Sequence, residues 1–252
     1  MGTTSRPRHA FFDFPGPIAF AHRGGASEAP ENTLPAFQRA VDLGYRYLET
    51  DVHVTSDGVV VAFHDDDLLR TCDVPGTIHE LPWRTVSAAR VAGAEPIPRL
   101  AELLHAFPDA RINIDCKTDA AVGPLGDELA RAGVLDRVCV AAFSDRRLGR
   151  LRRRLGPDLC TSAGPVELGL LRATGLAVPG PLAAQVPVSV RGIRVITERF
   201  VRRCHRRGIE VHAWTIDEPD EMERLLELGV DGIMTDVPAT LRDVLSRRGE
   251  WR

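Results

Sequence analysis

Apolar positions along the chain change period repeatedly. Short apolar runs occupy 111–117, 137–143, 158–163, 183–190, 210–215 and 232–235, and each predicts a strand. Between them, 120–132, 145–155, 166–174, 197–207, 218–228 and 239–248 carry apolar residues every three to four positions, which predicts helices. Gly156-Pro157 and Gly208 stop two of these helices, and Thr197 caps one. Upstream, Pro17 to Ala21 predicts strand one. Leu34, Phe37, Ala40, Val41 and Leu43 then predict a helix, capped by Thr33 or Asn32, with Pro35 in its first turn. Strand two starts near Tyr45 and runs to Val54, and Val59 to Phe63 reads as its return arm. Asp57-Gly58 between them is a two-residue hairpin signal, which would set Val54 against Val61, Val52 against Phe63 and Asp51 against His64. Residues 66–96 have no clear period and predict an excursion with one or two short helices. Ile97-Pro98 opens a helix with Leu100, Leu103, Leu104 and Phe107 on one face.

Counting strand two once gives eight strands, mostly separated by helices, and this alternation calls for a parallel sheet. Eight such units in 252 residues predict an α/β fold, a closed (β/α)8 TIM barrel. We expect one domain over 1–252, with residues 66–96 as a small insertion after the strand-two hairpin. The alternative is an open doubly wound sheet. That fold would need a glycine-rich nucleotide turn after strand one, and none is present.

Composition narrows the function classes. The chain is 44% hydrophobic, ample for one large core, and its net charge of −3 gives no reason to expect nucleic acid as a partner. Arginine runs at 146–154, 202–207 and 247–248 fall on predicted helices and read as solvated faces. Five scattered cysteines form no CxxC pair, so buried thiols in a reducing, cytoplasmic setting are expected. The first residues show neither a long apolar core nor a small-residue cleavage site, so no signal peptide is expected. The Met1-Gly2 start is too weak a pattern for myristoylation. No run approaches the ~20 apolar residues of a membrane span.

The chemistry lies where the strands end. His22 and Arg23 close strand one, Glu49 and Asp51 strand two, and Asp115 and Lys117 strand three. The return arm brings His64 back beside Asp51, Trp214 ends strand seven, and Asp236 follows strand eight. A barrel gathers these ends on one rim. A hairpin alone could carry such polar residues as a solvated face, but charged pairs at the same end of three successive strands point to a site. Three carboxylates on one rim repel one another without a cation. A hard divalent ion with oxygen ligands, Mg²⁺ or Ca²⁺, resolves this. Arg23 and Lys117 suit an anionic phosphate, and two histidines suit a general base and a general acid. The residues alone thus reach metal-assisted phosphoester chemistry.

The sequence resembles the glycerophosphodiester phosphodiesterase family. The resemblance rests on His22-Arg23-Gly24, Pro30-Glu31-Asn32-Thr33, Glu49-Thr50-Asp51, Thr55-Ser56-Asp57-Gly58 and His64-Asp65. Further on it rests on Asp115-Cys116-Lys117, Phe143-Ser144, Trp214-Thr215 and the run Gly232 to Pro238. It implies a TIM barrel, a metal held by Glu49, Asp51 and Asp115, acid-base work by His22 and His64, and phosphate contacts from Arg23 and Lys117. The third carboxylate in this family is usually glutamate, and here it is the shorter Asp115. Trp214 is a candidate substrate contact or packs in the barrel mouth, while Phe143 reads as core and Cys116 as facing the barrel-helix layer. The implied reaction is hydrolysis of a small glycerophosphodiester to sn-glycerol 3-phosphate and an alcohol. Two alternatives remain: a phospholipase D acting on lysophospholipids or sphingomyelin, and a non-catalytic phosphate-binding module.

Overall fold

The structure is a computed structural model that describes residues 9–252. The expectation about an acylation start, and the first half of the stretch read for a leader, fall on residues 1–8 and lie outside the described residues.

Eight parallel strands form the ring: β1 (Ile18–His22), β2 (Tyr47–Val54), β3 (Arg111–Cys116), β4 (Val138–Ala141), β5 (Cys160–Thr161), β6 (Ala183–Pro187), β7 (Glu210–Trp214) and β8 (Gly232–Thr235). Each neighbours the next in sequence, and β1 pairs with β8. One parallel bridge, Ser162 to Ala183, joins β5 to β6 and completes the ring. The outer layer is α1 (Leu34–Asp42), α2 (Leu100–Ala106), α3 (Val122–Ala132), α4 (Asp145–Leu155), α5 (Pro165–Thr174), α6 (Glu198–His205), α7 (Pro219–Glu227) and α8 (Pro238–Arg247). Thr33 caps α1, its hydroxyl accepting from the Ala36 amide at 3.3 Å, and Ser144 caps α4 in the same way.

Strand alternation decides what enters the barrel. Ala19, Ala21, Leu48, Val52, Ile112, Ile114 and Cys116 face outward into one core shared with the helices. Phe20 and Tyr47 face inward near the bottom, packed with Phe11 and Phe12 of the turn Ala10–Phe12, which plugs that end. The Tyr47 hydroxyl donates to the Phe11 carbonyl at 2.6 Å. Two residues further along the same inward face come His22 on β1 and Glu49 on β2, then Asp51, which registers with Asp115 on β3. The period that buries aromatic rings at the bottom of the barrel therefore delivers carboxylates and a histidine at its top.

The strand-two hairpin forms one residue out of the expected register. Val54 pairs with Val60, His53 with Val61 and Val52 with Ala62, around a three-residue loop, Ser56 to Gly58. Thr55 causes the shift. Its hydroxyl donates to Asp57 Oδ1 at 2.6 Å and accepts from the Val59 amide at 3.0 Å, while Gly58 turns at φ +87°. Both faces of β2 are buried, so the solvated-face reading does not hold. Several strands are shorter than their apolar runs, β5 and β6 among them. Only Cys160–Thr161 pairs as β5, and β6 stops at Pro187, whose nitrogen cannot donate to a ladder; Ser189–Val190 instead pairs with Ile193–Arg194 in a separate hairpin. Residues 66–96 contain the short helices Leu69–Cys72 and Trp83–Val86, packed through Leu68, Ile78 and Val86 onto Val61 and Phe63.

Candidate active site

The eight candidate catalytic, metal and substrate residues line one cavity of about 200 Å³ at the C-terminal end of the strands: His22, Arg23, Glu49, Asp51, His64, Asp115, Lys117 and Trp214. Glu49, Asp51 and Asp115 are 4%, 2% and 7% exposed, so the carboxylate cluster is buried.

Its charges interlock. Lys117 Nζ lies 2.8 Å from Asp51 Oδ1 and 3.0 Å from Asp115 Oδ2. Arg23 Nε stands 3.1 Å from Asp51 Oδ2, an ion pair whose angle is too poor for a hydrogen bond, while Arg23 Nη1 donates to Glu31 Oε1 at 3.1 Å. The Arg23 amide donates to Glu49 Oε2 at 3.1 Å. Arg23 reaches this pose at φ +51°, an uncommon left-handed conformation for a side-chain-bearing residue. Gly24 follows at φ +84°, where a Cβ would lie 2.8 Å from the Ala36 Cβ at the start of α1. The loop after β1 is thus pressed against α1, and its backbone is aimed at the carboxylates.

Both histidines are oriented from behind. His22 Nδ1 bonds Asp236 Oδ1 at 2.6 Å, and its Nε2 lies 3.8 Å from Glu49 Oε2. His64 Nδ1 bonds Asp65 Oδ1 at 2.6 Å. Asp65 and Glu31 both accept from Arg70, so Arg23 and His64 are joined through one ion network. Burial pushes the His22 imidazole down, but the Glu49 and Asp236 carboxylates outweigh it and hold it above its ordinary pKa. Burial, with the Asp51 charge beside it, pushes Glu49 up to about 7. Burial also raises Asp115. At Asp51 it is outweighed by Lys117 and Arg23, and the carboxyl stays below its usual range.

The donor set suits a hard cation. All three acids offer only oxygen, and Asp115 Oδ1 is buried without a hydrogen-bond partner. Among the described residues no three acidic, histidine or cysteine side chains already stand in a closed ligand arrangement. The positive charges against the cluster are Lys117 and Arg23.

Several contributors become visible only in the fold. Asp236, Asp65, Glu31 and Asn32 stand in the recognised motifs, but only the folded geometry shows their partners. The Asn32 side-chain amide donates to Asp51 Oδ2 at 3.3 Å and accepts from the Thr50 hydroxyl. Arg70, in an aperiodic stretch, has no sequence signal at all. Phe143 is a correction. It is 65% exposed, lines the cavity, and meets the Trp214 ring edge-to-face at 5.6 Å. The β4 ladder ends at Ala141, and the chain is already turning outward toward the Ser144 cap. Cys116 is fully buried in the barrel-helix core.

Comparison with known proteins follows the same lines. The model of the glycerophosphoryl diester phosphodiesterase family matches residues 22–240. A Mycobacterium tuberculosis relative named "Probable glycerophosphodiester phosphodiesterase 2" is 42% identical, over 100% of this chain and 99% of its own. A glycerophosphodiester phosphodiesterase of Caldanaerobacter subterraneus subsp. tengcongensis is 30% identical, over 92% of this chain and 99% of its own. Among solved structures, a Silicibacter pomeroyi DSS-3 protein superposes with a TM-score of 0.82 at 23% identity, covering 97% of this chain and 98% of that one. An Oleispira antarctica phosphodiesterase, solved with its product sn-glycerol-3-phosphate, gives 0.78 at 23% identity, covering 92% and 97%. The barrel, the motifs on its rim and a full-length relative agree, and the chain belongs to the glycerophosphoryl diester phosphodiesterase family.

Proposed function

We propose that this glycerophosphodiester phosphodiesterase cleaves its substrate to sn-glycerol 3-phosphate and an alcohol with one divalent cation, Mg²⁺ or Ca²⁺, and with His22 and His64 as the acid-base pair. The observation that carries this reading is the convergence of three carboxylates, two cationic side chains and two carboxylate-backed histidines on one cavity. The product seen in the Oleispira antarctica enzyme supports the same cleavage.

Glu49, Asp51 and Asp115 would hold the cation, which when bound supplies Lewis-acid polarisation of a phosphoryl oxygen. Arg23 and Lys117 hold the phosphate, a fork and a point charge beside the carboxylates. Asp236 fixes the Nδ1 side of His22, leaving Nε2 to take a proton from the glycerol 2-hydroxyl. That oxygen bonds to phosphorus, and the bond from phosphorus to the alcohol oxygen breaks. His64, fixed by Asp65, gives the departing alcohol its proton. Water then opens the cyclic phosphate: His64 takes a proton from it, and His22 returns one to the 2-oxygen. Trp214 and Phe143, packed edge to face, line one side of the cavity and offer the glycerol an apolar surface.

One observation favours a second reading, a lysophospholipase D. Phe143 is 65% exposed and lines the cavity together with Leu168, and an acyl chain would cover such apolar surface. A human relative 29% identical to this chain carries the name Lysophospholipase D GDPD1. Five free, buried cysteines support a reducing cytoplasmic setting, and no described helix is long and apolar enough to cross a membrane. A small-molecule substrate, with no nucleic acid, completes the reading.

The test is product analysis on glycerophosphocholine and lysophosphatidylcholine, each with Mg²⁺, Ca²⁺ or EDTA. We expect sn-glycerol 3-phosphate from glycerophosphocholine, abolished by EDTA and restored by one of the metals. Turnover of the lysolipid alone would establish the second reading.

A further inference from the structure

Arg70 lies on the short helix Leu69–Cys72, in the segment inserted between β2 and α2, and does not line the cavity. It nevertheless makes two forked contacts. Its Nη1 and Nη2 donate to the two oxygens of Glu31, each at 2.7 Å. Its Nε and Nη2 donate to the two oxygens of Asp65, at 2.5 and 3.1 Å. Both carboxylates pass the contact inward. Glu31 Oε1 accepts from Arg23, and Asp65 Oδ1 bonds His64 Nδ1.

His64 needs such a support. It follows the end of the return arm, Val60–Ala62, and its side chain is 32% exposed. Among the described residues its ring has one hydrogen-bond partner, Asp65, which is its neighbour in sequence and moves with the same backbone. A histidine held only by its neighbour is not fixed relative to the rest of the site. Arg70 supplies the fixed point by tying Asp65 to Glu31, which belongs to the loop after β1. The pairs are half-exposed, with 49% of the Arg70 side chain accessible, so they contribute little to stability. Their geometric content is larger. A planar guanidinium with both edges engaged sets the separation and angle of two carboxylates, which a lysine ammonium cannot do.

We propose that Arg70 is a positioning residue that locks the His64 imidazole over the cavity through Asp65, bracing it against Glu31 and the Arg23 loop. The proposal deepens the reading of His64 as an acid-base group and rests on it. The inserted segment then serves to hold together two groups that come from different β-α loops.

The experiment is a double-mutant cycle on the full chain, with kcat and KM measured on glycerophosphocholine for wild type, Arg70→Met, His64→Ala and the double variant. Arg70→Met should lower kcat by about 10-fold to 100-fold, the scale of a slightly misplaced group, with a near-wild-type melting temperature. In the His64→Ala background the same change should cost less than about threefold, because the group it positions is gone. Arg70→Lys should stay nearly as impaired as Arg70→Met, and Asp65→Asn should reproduce the defect, so the test survives poor folding of any one variant. Wild-type kcat in Arg70→Met and Asp65→Asn, beside an impaired His64→Ala, overturns the positioning role and leaves the acid-base reading intact. Full multiplication of the two defects also overturns it. Wild-type turnover by His64→Ala overturns the acid-base reading, and the positioning role with it.

Discussion

At the scale of one residue, Asp115 stands where the family resemblance implies a glutamate. An aspartate draws its oxygens back by roughly 1.5 Å, one C–C bond, relative to glutamate. Even so, Oδ2 meets Lys117 at 3.0 Å, and Oδ1 stays buried and unpaired beside the cavity shared with Glu49 and Asp51. Ca²⁺ accepts ligands at about 2.3 to 2.6 Å in irregular shells, whereas Mg²⁺ requires about 2.0 to 2.1 Å and fills gaps with water. As the proposed third ligand, Asp115 should be indispensable but replaceable by its longer homologue. Asp115→Ala should abolish metal-dependent turnover, and Asp115→Glu should keep substantial activity with an altered preference between the two ions. Activity titrated against each metal decides it. An Asp115→Ala variant matching wild type in maximal rate and half-saturating metal concentration would remove Asp115 from the site.

At the scale of elements, Thr55 sets the hairpin that carries Asp51 at one end and leads to His64 at the other. Thr55→Val keeps the shape but removes a hydroxyl that bonds both Asp57 and the Val59 amide. We expect a loss of about 1 to 2 kcal/mol in denaturant unfolding, with kcat near wild type. A collapse of kcat at unchanged stability would show that the loop controls His64 directly. The same threonine explains why the sequence pattern points to the wrong register. Asp57-Gly58 is a true turn signal, but the hydroxyl two residues upstream selects the three-residue loop, and side-chain hydrogen bonds leave no trace in periodicity. The strands and helices of the barrel are legible because their apolar periods differ and neighbouring strands are consecutive in the chain. The rim residues are legible because parallel strands all end on one side. Contacts between loops are not. The pairing of His22 with Asp236 spans 214 positions, and Arg70 reaches Glu31 across 39, so neither follows from local pattern. Phe143 resembles a core residue because its apolar run continues past the point where the ladder stops.

The whole molecule is a barrel sealed at the bottom by Phe11 and Phe12 and open at the top over the charged cavity. Every cysteine is buried, Cys72 under the inserted segment and the other four in the barrel, and burial pushes the Cys116 and Cys204 thiols up to about 12. Thiolate, not thiol, is the reactive form. The native protein at neutral pH should therefore leave Ellman's reagent almost unreacted, and all five thiols should titrate after denaturation. Rapid reaction of Cys116 in the native state would show that the β3 end opens to solvent.

The central claim is that this rim cleaves a glycerophosphodiester with two histidines in acid-base roles. Its most direct test is the rate at which sn-glycerol 3-phosphate forms from glycerophosphocholine in wild type, His22→Ala and His64→Ala, with melting temperatures measured alongside. The account predicts product from wild type and a loss of about 10² to 10⁴ in rate for each variant at near-wild-type stability. Wild-type turnover in either folded variant, or no product from the wild-type enzyme with either metal, would contradict it.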